Sequence, residues 1–175
     1  MTNKEFNYLE VGCGKGELFR RFRGNAKVCY GVEPGDWLDT PDIIRDISQL
    51  PKDIKFDVIV MHDILEHLED PLDMMVLCRS ISNNGARIYC SFPNKDSLVA
   101  KIRKEKWDMI RPFSHLHYFS KKSTSILFNA AKWKMITCQT FPKSSLYLRS
   151  RMTMGIFLKT ILNQHHQRYA IGIAE

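Results

Sequence analysis

Apolar positions along the chain change period several times, and each change marks an element. Tyr8–Val11 is a short run of strand length, broken only by Glu10. Leu18, Phe19 and Phe22 then recur at helical spacing, which predicts a helix over Glu17–Arg23. Alternation returns at Lys27–Val32, with Val28, Tyr30 and Val32 on one face, and stops at Glu33-Pro34-Gly35. Ile43–Arg45 is a third, short strand. Phe56–Met61 is nearly continuous in apolar residues, as a strand buried on both faces requires. Asp70 followed by Pro71 and Asp73 is a helix start, with Leu72, Met75 and Val76 as the expected buried stripe and Gly85 as the expected stop. Ala86–Phe92 completes a fifth strand.

The second half is less regular. A basic helix is expected within Asp96–Lys106, and Trp107–Phe119 is dense in aromatics and histidines. Ser120 caps a predicted helix whose apolar face is Ile126, Leu127 and Ala130. Lys134–Phe141 and Tyr169–Ala174 read as strands, and Leu146–Leu162 as a basic amphipathic helix. Strands alternate with helices over residues 7–92, which predicts an α/β fold with a parallel sheet. The 175 residues suit one domain, 1–175, with a sizeable core.

Composition is that of an ordinary globular protein, with no apolar run long enough for a membrane span and no signal peptide. Five scattered cysteines without a CxxC pair are expected to be reduced thiols of a cytoplasmic protein; no metal site is expected. The formal charge of +7 is uneven: residues 1–95 carry −3 and residues 96–175 carry +10. The basic half would be a solvated face or would meet an anionic acceptor.

Candidate chemistry gathers at strand ends. Gly12, Gly14 and Gly16 make a turn that lets backbone approach a ligand, with Cys13 between the first two and Glu10 just before. A dinucleotide fingerprint would need a glycine where Glu17 stands. A carboxylate there disfavours a pyrophosphate but tolerates a zwitterion carrying a sulfonium. Glu33 can accept two ribose hydroxyls, Asp46 and the Ile47 amide suit adenine, and His62 is placed for the methionine end. Ligands of such sheets sit beyond the carboxyl ends of the strands.

These segments resemble the class I S-adenosylmethionine-dependent methyltransferases over roughly residues 7–140. Tyr8–Gly16 matches the first motif of that superfamily, Gly31–Pro34 the second and Arg45–Pro51 the third. Phe56–Pro71, with Asp63, Glu66 and His67, is similar to the fourth-strand signature of a small-molecule subgroup, as is His115–Ser120 to a later element. The resemblance implies a Rossmann-like three-layer sandwich: seven strands, mostly parallel, with an antiparallel C-terminal hairpin. It implies S-adenosyl-L-methionine as cofactor and methyl transfer to a small, polar or anionic acceptor, with O-methylation favoured. Such enzymes usually carry helices before the first strand, of which this sequence shows almost none, so residues 96–119 and 142–168 are expected to cover the acceptor, or the cleft is open, or a partner completes it. His115 is the candidate base, and Trp107, Arg111, His117 and Tyr118 are candidates for holding the acceptor. His67 is expected to make a structural hydrogen bond, and His165 and His166 to be solvated. The alternatives are a cofactor-binding regulatory protein completed by a partner, and an RNA methyltransferase using the basic half. The chain is expected as a monomer or homodimer.

Overall fold

The computed structural model describes residues 6–36, 40–140 and 167–175. Seven strands form one sheet in the order β3-β2-β1-β4-β5-β7-β6. They are β1 (Asn7–Val11), β2 (Val28–Val32), β3 (Ile43–Ile44), β4 (Phe56–His62), β5 (Ser82–Pro93), β6 (Trp133–Thr140) and β7 (Gln167–Ala174). The first five run parallel, and β7 pairs antiparallel with both β5 and β6. This is the expected sheet with its C-terminal hairpin. The predicted helix at Leu146–Leu162, most of the expected cover at 142–168, and His165 and His166 lie outside the described residues.

Residues alternate between the two faces of β1. Leu9 and Val11 join the large core with Ile59, Met61, Ile88, Met75 and Phe128, the last two from α2 (Pro71–Ser80) and α4 (Lys121–Ala130). On the other face, Tyr8 stacks on Phe22 of α1 (Glu17–Arg23), with ring centroids 4.5 Å apart. Phe6, Leu18, Phe22, Val58, Val60 and Tyr89 line an apolar groove there. A fourth helix, α3 (Leu98–Arg103), packs in a small separate cluster with Trp107.

Two helix faces differ from the expected stripes. In α2, Met75 and Cys78 are buried while Leu72 and Val76 are exposed. The rotation follows from the strand side: the Trp133 indole donates to the Met75 carbonyl at 3.0 Å and pins that turn. In α4, Thr124, Leu127 and Phe128 are buried while Ile126 and Ala130 are exposed. Phe128 fits over Gly172, where a Cβ would stand only 2.9 Å from its ring, so a glycine in β7 selects which face docks. Gly85 stops no helix. α2 ends at Ser80, and Gly85 (φ 79°) lies inside β5.

The helix starts behave as expected. Asp70 accepts from the amides of Leu72 and Asp73 at 2.9 and 3.0 Å, and Ser120 caps α4. Asp70→Ala is expected to lower stability by about 1 kcal/mol, read as a lower urea midpoint at unchanged m-value. All five cysteines are free thiols. Among the described residues no helix is long and apolar enough to cross a membrane.

Candidate active site at the carboxyl ends of β1 and β4

The strand order places the break in winding direction between β1 and β4, and the loops leaving these two strands meet there. Gly12, Gly14 and Gly16 all have positive φ, at 73°, 50° and 68°. Gly12 and Cys13 both donate to the Val32 carbonyl, at 2.8 and 3.2 Å, which folds the turn back over β2. Gly12 has a second constraint. A Cβ there would lie 1.9 Å from Cδ1 of Ile64, in the segment leaving β4.

Beside this turn is a cavity of about 410 Å³. Glu10, Gly12, Cys13 and His62 line it, and all four are among the residues singled out above. Lys15, Glu17, Leu18 and Arg21 complete the wall. Lys15 and Arg21 were missed as lining residues, because charged residues in a turn or on a short helix read as solvated until the turn geometry is known. The volume falls within the usual range for small-molecule pockets.

Glu10 is 4% exposed and accepts from the Tyr8 hydroxyl at 3.2 Å. Burial pushes its carboxyl up to about 7, against the Tyr8 hydrogen bond, His62 and the Phe19 amide, which favour the charged form. Burial, and then the neighbouring Glu10, raise the Tyr8 phenol well above its ordinary range. Burial likewise pushes the Cys13 thiol up to about 11. His62 sits 3.4 Å from Asp63, whose hydrogen bond raises the imidazole despite its partial burial. A buried carboxyl, Glu10, and two cations, Lys15 and Arg21, lining one cavity suit a zwitterion with an added positive charge. The residues present therefore fit S-adenosylmethionine, whose sulfonium and ammonium need an anion and whose carboxylate needs a cation.

The other rim residues have structural partners of their own. Both Glu33 oxygens accept backbone amides, from Gly14 at 2.7 Å and Gly35 at 2.9 Å. Each oxygen keeps a further lone pair for a hydroxyl. Asp46 caps the 3-10 turn Ile47–Gln49, accepting from Ser48 at 2.8 Å, and Ser48 holds its carboxyl below the usual range. Asp46 and Ile47 stand beyond β3, outside the cavity wall.

The stretch expected on the acceptor side is tied down by its own contacts and does not line the cavity. Trp107 is buried against Val99 and Ala100, with Tyr118 beside it. The Tyr118 hydroxyl accepts from the Arg111 amide at 3.2 Å, and the Arg111 side chain turns to the Asp108 carbonyl. His117 stacks on Phe119, and its Nε2 lies 3.3 Å from the Glu69 carbonyl. His115 is buried beside His67, with ring centroids 4.8 Å apart, and burial lowers its pKa. The stretch is nevertheless fastened to the segment leaving β4: Glu66 O accepts the amides of Leu116 and His117 at 2.7 and 3.2 Å. Burial pushes the Glu66 carboxyl up to about 7.

Comparison with known proteins agrees with this geometry. A family model described as a methyltransferase domain matches residues 2–137. A ubiquinone biosynthesis O-methyltransferase of Coxiella burnetii is 27% identical over 110 residues, covering 55% of this chain and 47% of that protein. A tRNA U34 carboxymethyltransferase of Vibrio vulnificus is 25% identical over 126 residues, covering 62% and 39%. The chain thus spans less than half the length of these curated relatives. An S-adenosylmethionine-dependent methyltransferase of Mesorhizobium loti has the same fold, at TM-score 0.72 and 12% identity over 99% of this chain and 93% of that one. The chain belongs to the methyltransferase domain family.

Proposed function

We propose that the domain transfers a methyl group to a hydroxyl of a small, polar or anionic acceptor. The observation that carries the reading is the cavity at the β1–β4 switch, with buried Glu10 facing Lys15 and Arg21. When bound, S-adenosylmethionine supplies an activated methyl group on a sulfonium. Glu10 would hold the cationic end and Lys15 or Arg21 the carboxylate. Glu33 would take the ribose hydroxyls, and Asp46 with Ile47 would flank the adenine. Gly12, Cys13, Gly14 and Gly16 would supply the close backbone wall, and His62 would sit near the methionine end.

The acceptor would approach from the side of residues 96–119, whose Leu116 and His117 amides are bonded to Glu66 in the segment leaving β4. Holding acceptor oxygen, methyl carbon and sulfur in line is the protein's main contribution, worth ~7–11 kcal/mol of barrier in well-oriented systems. The O-methyltransferase among the relatives supports a hydroxyl acceptor. The tRNA enzyme among them, with the +10 half, supports RNA as the second reading.

The test is release of S-adenosylhomocysteine against two panels, phenolic and carboxylated small hydroxyl compounds and structured RNAs. Turnover confined to the small compounds is expected. Turnover with RNA alone, with affinity falling steeply in salt, would replace this reading with the second.

A further inference from the structure

Three metal-ligating side chains converge where the chain leaves β4, outside the cavity wall. Glu66, His67 and His115 place their donor atoms within 4.8 Å of one another. We propose that they bind a divalent transition-metal cation of the zinc class. No sequence pattern points to the site, because His115 is 48 residues from His67 and no metal-ligand spacing links them.

Hydrogen bonds to backbone carbonyls fix both imidazole rings. His67 Nδ1 lies 2.6 Å from the Ser114 carbonyl, and His115 Nδ1 lies 2.7 Å from the Met109 carbonyl. A carbonyl only accepts, so each Nδ1 bears the proton and each neutral ring keeps its Nε2 lone pair open. A second nitrogen fixed by a backbone carbonyl is how proteins orient imidazole for a metal.

Glu66 is the independent observation. It is 1% exposed, and its Oε2 meets no hydrogen-bond partner among the described residues. A buried carboxylate oxygen without a donor is costly, and a cation would satisfy it. Asp63 adds negative charge nearby, while its own oxygens are engaged by Ser91, Gln167 and His62.

The group is also held together. Glu66 O accepts the amides of Leu116 and His117, which ties the residues flanking His115 to the Glu66–His67 turn. Donors on one ion at ~2.0–2.2 Å in a tetrahedral shell stand about 3.3–3.6 Å apart, so binding draws the three side chains together by up to about 1.5 Å. Two imidazoles and one carboxylate favour a first-row transition ion over magnesium or calcium, which prefer all-oxygen shells. His67 is exposed, so the ion is reached from solvent. Three protein ligands leave a position for water or another oxygen ligand.

The test titrates Zn²⁺ into the full chain by calorimetry and records the visible spectrum of the Co²⁺ form. One equivalent is expected to bind and to raise the melting temperature. Glu66→Gln, His67→Ala and His115→Ala should each weaken binding at least ~10-fold. His117→Ala should bind as wild type. Circular dichroism of each variant checks that it is folded, and the near-isosteric Glu66→Gln keeps the test decisive if a histidine variant is not. Failure to bind one equivalent overturns the proposal. So does unchanged binding in Glu66→Gln, or loss of binding in a His165→Ala/His166→Ala variant instead. The outcome is independent of whether the domain methylates a small hydroxyl compound.

Discussion

Gly12→Ala is expected to remove measurable cofactor binding and to destabilise the fold by about 2–4 kcal/mol. Two penalties combine. A φ of 73° is unfavourable for any residue with a Cβ, and that Cβ would stand 1.9 Å from Ile64 Cδ1. Relief requires the Ile64 side chain to swing away or the β1 turn and the segment leaving β4 to part, and these two loops frame the cavity. Urea unfolding measures the first effect and titration with S-adenosylmethionine the second. Adding Ile64→Ala should restore part of the stability by removing the clash, but not the part due to φ. A Gly12→Ala protein with a wild-type midpoint and wild-type affinity would show that the turn is looser than its geometry implies.

The second large effect is set by Glu10. With its carboxyl pushed up to about 7, the free protein is mostly neutral at this position at pH 5.5 and mostly ionised at pH 7.5. Binding a cationic ligand favours the ionised form, so affinity for S-adenosylmethionine should rise with pH. The expected gain from pH 5.5 to 7.5 is about 20-fold. The groups facing Glu10 are Tyr8, Cys13, Lys15, Glu17, Arg21 and His62. Tyr8 and Cys13 are raised far above this window. His62, raised by its hydrogen bond to Asp63, becomes less cationic as pH rises and acts in the same direction, so Glu10→Gln is the variant that separates them. It should bind more weakly at pH 7.5 and lose most of the slope; a wild-type slope would assign the effect to His62.

Stability should move the opposite way. The folded pKa of Glu10 is raised, from 4.5 to about 7. Its contribution is therefore fully present below about 4.5 and is lost as pH rises through about 7. Ligand-free Glu10→Gln should then be more stable than wild type at pH 8, by about 1–3 kcal/mol. Stability is lost at a carboxylate kept for binding, as is common at functional sites.

The sheet was legible because its strands are short, apolar and cleanly bounded. β4 spans Phe56–His62 against the expected Phe56–Met61, and α1 coincides with its expected range. Helix starts were legible because Asp70 and Ser120 act locally, through amides two or three residues away. Helix faces were not. The docked side of α2 depends on Trp133, 58 residues from Met75, and that of α4 on Gly172 in another strand. The cavity's glycine turn could be read from spacing alone, whereas Lys15 and Arg21 could not, because their direction depends on three positive φ angles. The histidine-rich stretch was read as an acceptor wall. Its anchoring through backbone bonds to Glu66 was not legible, because no local pattern indicates that partner.

The central claim is that the β1–β4 switch holds S-adenosylmethionine between Glu10 and the Lys15–Arg21 wall. Calorimetric titration of the cofactor into wild-type, Glu10→Gln and Arg21→Ala proteins at pH 7.5 tests it most directly. Wild type should bind one equivalent, and Glu10→Gln should bind at least about 10-fold more weakly, because its lost charge pair is desolvated. A smaller loss is expected in Arg21→Ala, where Lys15 remains. Equal affinity in all three, or no binding by folded wild-type protein, would contradict that claim.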